Sequence, residues 1–206
     1  MSRYTGPRVK KMRALGVDLP GLSRKTMWDR AYPPGEHGPK NARRRRESDF
    51  KKQLQEKQKL RLNYGLTERQ FRRLFVEAKR DKAPTPDKLI EFLERRLDNV
   101  VFRAGFGRTI PAARQLVRHR HIRVNGKRVD IPSFRVSEGD EITLRDKSKE
   151  IAIVVESLDK PALNRPEWLK WDEDKKVATV AELPGPGSVP FPVEMNLVIE
   201  YYSKRL

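Results

Sequence analysis

Residues 96–142 read RLDNVVFRAGFGRTIPAARQLVRHRHIRVNGKRVDIPSFRVSEGDEI, and a change of period inside this run decides the fold. Its first part continues an apolar spacing begun earlier. Leu89, Ile90, Leu93, Leu97, Val100 and Val101 recur at the 3.6-residue interval of a helix opened by Thr85-Pro86, a capping hydroxyl followed by proline at the first helical position. The spacing predicts one continuous helix as far as the glycines of AGFG at 104–107. Thr109, Pro111 and the apolar set Ala113, Leu116 and Val117 predict a short second helix, with Arg114 and Arg118, four apart, together on another face. Then the period drops to two. IRV and KRV flank Asn125-Gly126, a pair that tolerates positive φ and predicts a two-residue hairpin turn, while FRV and EITL add further strands. Gly105, Gly107 and Gly126 stand where the chain reverses or approaches itself closely.

Upstream, residues 46–79 turn helical, and Thr67 with Gln70 has the spacing of a capping box. The helix that follows sets Phe71, Leu74, Phe75 and Ala78 on one face and leaves Arg69, Arg72, Arg73 and Lys79 for the other. Residues 1–45 carry few large apolar side chains and much glycine, proline and arginine, too little apolar surface to offset the entropy of ordering them. An arm that is extended or disordered alone, and ordered on a charged partner, is expected there. Downstream, 148–158 reads equally as helix or buried strand, WLKWDEDKKVATVAEL as a hairpin, LPGPGSVPFP as a loop and MNLVIEYYSK as a closing helix or strand. The class that follows is α+β. It has an extended basic arm (1–45), a helical domain (46–95, completed by about 190–206) and, inserted between, a module of two helices on a small, mostly antiparallel sheet (96–189, its core about 96–158).

The charge says what such a scaffold meets. The chain has 206 residues, 46 Lys and Arg against 28 Asp and Glu, and a formal charge of +18. Residues 1–60 hold 17 basic and 6 acidic residues, 61–150 hold 22 and 13, and 151–206 hold 7 and 9, so the excess lies in the first three quarters. A polyanion, nucleic acid first, is the expected partner. There is no cysteine, hence no disulfide and no thiolate metal site, and no apolar run approaches the length of a membrane span.

Catalytic and metal signals are weak. His119 and His121 are the only close histidines, and two imidazoles at a helix-to-strand junction need not converge on an ion. No P-loop, nucleophile elbow or dinucleotide fingerprint is present. Arg96-Leu97-Asp98 resembles the aspartate motif of pseudouridine synthases, but it falls in a helix, where pairing of Asp98 with a neighbouring arginine is the expected use. No enzymatic activity, cofactor or metal is expected.

The run 96–142 closely resembles the RNA-binding module named after small-subunit ribosomal protein S-four. That module also occurs in RNA-modifying enzymes and in non-ribosomal RNA-binding factors, which stand as the alternatives. The segments RYTGPRVK, PPGEHGP, QLQEKQKLRLNYGLTERQFRRLF, EWLKWD and LVIEYYSK resemble the bacterial-type ribosomal protein family along the whole chain. The resemblance implies a primary binder of small-subunit ribosomal RNA that nucleates assembly of the subunit body, acts in translational accuracy, touches ribosomal protein S-five and lines the mRNA entry channel. It implies a ribosomal, cytoplasmic protein of a bacterium or of an organelle of bacterial descent, with no membrane partner and no homo-oligomer. Many relatives bind zinc through N-terminal cysteines; this arm has none. The residues expected on ribosomal RNA are Arg3, Lys10, Lys11, Arg13, Arg24, Lys25 and Arg30 in the arm, and Arg69, Arg72 and Arg73 in the helical domain. In the module they are Arg96, Arg103, Arg108, Arg114, Gln115, Arg118, His119, Arg120, His121, Lys127 and Arg128. Arg43, Arg44, Arg45 and Arg46 are the candidates for the mRNA channel.

Overall fold

A computed structural model describes residues 4–38 and 48–205, which fall into two compact units, one of residues up to 86 together with 189 onwards, the other of residues 87–188.

The first unit is helical. Its helices α1 (Arg8–Leu15), α2 (Asp49–Asn63) and α3 (Glu68–Arg80) are joined by a helix from the far end of the chain, α8 (Met195–Ser203). The capping box forms as expected: Thr67 Oγ1 accepts from the Gln70 N–H and Gln70 Oε1 from the Thr67 N–H. Phe71, Leu74, Phe75 and Ala78 are buried. The Tyr202 ring of α8 lies 4.7 Å from Phe75 and 5.9 Å from Phe71, and its hydroxyl donates to Glu68 at 2.7 Å. Lys57 donates to the other Glu68 oxygen at 2.8 Å. Burial pushes the Glu68 carboxyl up, but the Lys57 and Tyr202 hydrogen bonds outweigh it and hold the group below its ordinary value. The residues before 39, expected to be extended, instead include α1, with Met12, Leu19 and Leu22 buried and the Gly21 N–H donating to Asn63 Oδ1 at 2.9 Å. The apolar residues there are few, yet Met12, Val17, Leu19, Leu22 and Met27 are buried while Tyr4 and Trp28 stay exposed.

The second unit begins within α4 (Thr85–Glu94), continues through α5 (Leu97–Arg103) and α6 (Ile110–Arg118), and adds a five-stranded sheet and α7 (Ala152–Asp159). The continuous helix expected from 85 to 103 is interrupted. Arg96 is extended and bridges Arg135, the Val136 N–H donates to the Arg95 carbonyl, and the Leu97 and Asp98 N–H groups donate to the carbonyls of Phe134 and Pro132. Pairing with a distant segment replaces the helical hydrogen bonds at one residue, while the apolar spacing runs on because both halves face one core. FRV thus makes an isolated bridge and not a ladder strand.

The strands β1 (Ile122–Val124), β2 (Lys127–Arg128), β3 (Glu141–Leu144), β4 (Leu169–Asp172) and β5 (Val177–Val180) lie in the order β2-β1-β3-β5-β4, all neighbours antiparallel. Ile122, Val124, Ile142, Leu144, Ala178 and Val180 are buried on one face, the core shared with Leu97, Val100, Val101, Ile110, Ala113 and Val117. A Cβ on Gly107 would come within 2.9 Å of the Ala113 nitrogen, so that glycine permits the close approach of the α5–α6 turn to α6. Gly105, at φ 92, and Gly126, at φ 75, occupy the left-handed region. The undecided segment 148–158 becomes helical from Ala152, as α7, and MNLVIEYYSK closes the chain as a helix.

Candidate nucleic-acid interface

In the second unit the basic residues sort into two classes. Arg96, Arg103 and Arg114 turn inward. Asp98 is almost wholly buried, with 1% of its side chain exposed, and both Arg96 and Arg114 reach it. Arg96 donates from Nε and Nη2 at 3.2 and 3.1 Å, and Arg114 from Nε and Nη2 at 3.0 and 2.6 Å. Arg103 is buried on Glu94 and donates to the Ser188 carbonyl at 2.7 Å. Arg108 pairs with Glu156. A buried carboxylate must be paired, so Arg96, Arg103 and Arg114 hold the α4–α5–α6 corner together and are not surface cations, whereas the Glu156 that Arg108 meets is exposed on α7. Asp98 therefore has the structural use expected of it. Arg114 and Arg118 share a face of α6 as their spacing requires, but they differ in depth: Arg114 reaches the buried Asp98 carboxylate and Arg118 is exposed.

The second class faces outward at the end of α6. Gln115, Arg118, His119 and Arg120 are exposed. The helix stops in a Schellman turn, in which the Arg120 N–H donates to the Val117 carbonyl and the His121 N–H to the Leu116 carbonyl. The left-handed position of such a turn usually belongs to glycine, yet here Arg120 holds it at φ 63. For a residue with a Cβ that conformation costs roughly 1–2 kcal/mol. Strain of this kind persists where a side chain is wanted for something other than stability. The Arg120 side chain is two-thirds exposed and rests on Asp130 at 3.0 Å, a pairing of at most about 1 kcal/mol at such a surface.

The β1–β2 hairpin supplies the rest. Asn125, at φ 50, and Gly126 make its turn; Asn125 Nδ2 donates to Asp140 at 2.7 Å and its Oδ1 accepts the Glu141 N–H at 2.9 Å. Lys127 and Arg128 are thus presented, exposed, by a hairpin tied to β3. The His119 and His121 rings are 6.1 Å apart, and His121 Nδ1 lies 2.9 Å from Ser148 Oγ. Partial burial, then the charges near it at His119 and Arg145, hold the His121 pKa below its ordinary value, so the ring is neutral at pH 7. Among the described residues no group of three or more His, Cys, Asp or Glu could hold a metal ion.

In the first unit, Arg69, Arg72 and Arg73 line a shallow concavity on the outer face of α3, joined by Arg80, Val76 and Glu77. Arg80 was absent from the sequence reading, although its place eleven residues beyond Arg69, about three helical turns, puts it on the same face. Lys10 and Lys11 are exposed on α1, and Arg24, Lys25 and Arg30 are exposed beyond it. Arg13 instead stacks on the Tyr32 ring at 4.8 Å and donates to the Tyr32 carbonyl. Arg3 and the four candidates Arg43, Arg44, Arg45 and Arg46 lie outside the described residues. No described helix is long and apolar enough to cross a membrane.

Comparison with known proteins places these features. The family model for the ribosomal protein S4/S9 N-terminal domain matches residues 3–94, and that for the S4 domain matches residues 95–142. Over the full length of both chains, the sequence is 62% identical to the small ribosomal subunit protein uS4 of Methylobacillus flagellatus and 58% identical to uS4B of Nitrosomonas europaea. It is 46% identical to uS4 of Paracoccus denitrificans, again over the full length of both.

Proposed function

Because the chain belongs to the uS4 family of small ribosomal subunit proteins, we propose that it is a structural, non-enzymatic constituent of that subunit which docks on small-subunit ribosomal RNA. The contacts are the outward side chains described above: Arg118, His119, Arg120, Lys127 and Arg128 on the second unit, and Arg69, Arg72, Arg73 and Arg80 on the first. Arg120 carries this reading, because a strained, glycine-like position occupied by an exposed guanidinium is a contact made at the expense of stability.

Docking begins with displacement of condensed counterions by Lys and Arg, and a rigid scaffold then reads the shape of a folded junction through phosphates, sugar hydroxyls and stacking. In this role the chain nucleates assembly of the subunit body in the cytoplasm as a single copy. Ribosomal protein S-five and, through Arg43 to Arg46, the mRNA at its entry channel are its further partners, with consequences for accuracy.

Substituting Arg120→Gly tests the reading, since glycine accepts φ 63 and what is lost is the charge with its exposed contact to Asp130. Binding of the full chain to small-subunit ribosomal RNA should weaken, and the slope of log Kobs against log salt should fall by about 0.7–0.9. Chemical footprints on the RNA should cluster at one junction. An unchanged slope in this folded variant, together with scattered footprints, would refute the proposal.

A further inference from the structure

We infer that the open face of the β-sheet carries a phosphate-binding corner for RNA, with Arg123 and Arg145 as its principal cations and Arg128 and His121 beside them. The inference rests on the RNA-binding reading above and extends it from the α6 terminus and hairpin to a surface that neither the helix pattern nor the basic runs pick out.

The placement follows from strand alternation. Ile122, Val124, Ile142 and Leu144 point into the core, so Arg123 on β1 and Thr143 on β3 must point the other way. Arg123 stands directly opposite Thr143 on one side and Arg128 on the other. The Arg145 N–H donates to the His121 carbonyl at 2.8 Å, which extends the β1–β3 ladder by one pair and sets Arg145 opposite His121 on the same face. Three guanidiniums and an imidazole thus share one corner of the sheet, on adjacent strands.

That corner is costly in the free protein. Like charges directly opposite on antiparallel strands repel, and Arg123 faces Arg128. The Nε of Arg123 is shielded from solvent and has no hydrogen-bond partner among the described residues. Asp146 feels the Arg123 charge but is held by Lys149 at 3.1 Å, and Glu141 lies in the next row of the face, opposite Thr179. Clustered guanidiniums match the oxygens of a phosphodiester, which accept several charge-assisted hydrogen bonds at once. The corner reaches the exposed β1–β2 hairpin at Arg128, so the occupant that fits is an extended polyanion, and ribosomal RNA is the one the chain is built to meet.

The test measures binding of the full chain to small-subunit ribosomal RNA over a range of salt, with Arg123→Gln, Arg145→Gln and, as a control on the same face at the far edge strand, Lys170→Gln. Each arginine variant should lower the salt slope by about 0.7–0.9 and weaken affinity several-fold at fixed salt, with a melting temperature equal to or above that of the parent. Lys170→Gln should change neither. If both arginine variants keep the parental slope while Arg120→Gly lowers it, the sheet corner is overturned and the RNA-binding reading stands. If Lys170→Gln lowers the slope as much as they do, the effect is diffuse charge and the corner is likewise overturned. A parent protein without salt-dependent binding overturns the underlying reading itself.

Discussion

Replacing Arg114 by methionine separates the structural arginines from the contact arginines. Arg114 Nη2 and Nε sit 2.6 and 3.0 Å from Asp98, whose side chain is 1% exposed, and only 19% of Arg114 itself is exposed. Methionine keeps the apolar stem and the helix propensity of α6 but removes two charge-assisted donors, leaving the buried carboxylate with Arg96 and the Asn99 N–H. Breaking a buried pair costs about 3–5 kcal/mol, and the remaining Arg96 fork places this site near 3. For a unit of about 100 residues, in which 1 kcal/mol shifts Tm by about 4–8 °C, the expected drop is about 12–24 °C. Thermal and urea unfolding followed by circular dichroism measure it, with Arg118→Met on the exposed turn as control. That variant should melt within about 0.5 kcal/mol of the parent yet bind RNA less tightly. Equal melting temperatures for Arg114→Met and the parent would refute the assignment of Arg114 to the interior.

Three further outcomes are expected. Gly107→Ala puts a Cβ 2.9 Å from the Ala113 backbone nitrogen, which α6 cannot easily yield, so urea unfolding should show a loss of about 1–3 kcal/mol. Tyr202→Phe removes the 2.7 Å hydrogen bond to the Glu68 carboxylate without changing ring packing on Phe75, and the unfolding free energy should fall by about 1.5–3 kcal/mol. His121 is a base whose pKa is lowered in the fold, so the unfolded chain binds more protons near its ordinary value of 6.5. Its contribution to stability is complete above that pH and is lost as pH falls from there through the folded value; His121→Gln should flatten the slope of Tm against pH in that window.

Much of the fold was legible because local rules and tertiary packing agree. The Thr67 and Gln70 capping box, the Asn125-Gly126 turn, the proline-started helices and the alternation in IRV and EITL each state their structure within a few residues. They failed at Arg95 and Arg96, where carbonyl and amide groups of 132–136 compete for the backbone of a good helical pattern. No local signal records a partner forty residues away. The basic residues show the same division. Arg118, Arg120, Lys127 and Arg128 lie on surfaces that period and turn chemistry identify, whereas Arg96, Arg103 and Arg114 look identical to them in sequence and differ only in meeting Asp98 or Glu94. Arg123 looks like an ordinary residue of the IRV strand, although the period of two already turns it from the core, and Arg145 follows directly after EITL.

By itself the sequence determined the class of fold and the anionic character of the partner, because propensity, apolar period and net charge are sums over residues that need no coordinates, while the family followed from the resemblance of whole segments. Only the tertiary structure decided which charges are available. A guanidinium is a contact or a brace according to whether a carboxylate is buried within about 3 Å of it, and that distance is set by packing between segments far apart in the chain. The same holds for Arg120: arginine after a helix is unremarkable as a letter, and becomes informative only when its backbone is found at φ 63, where glycine would be less strained.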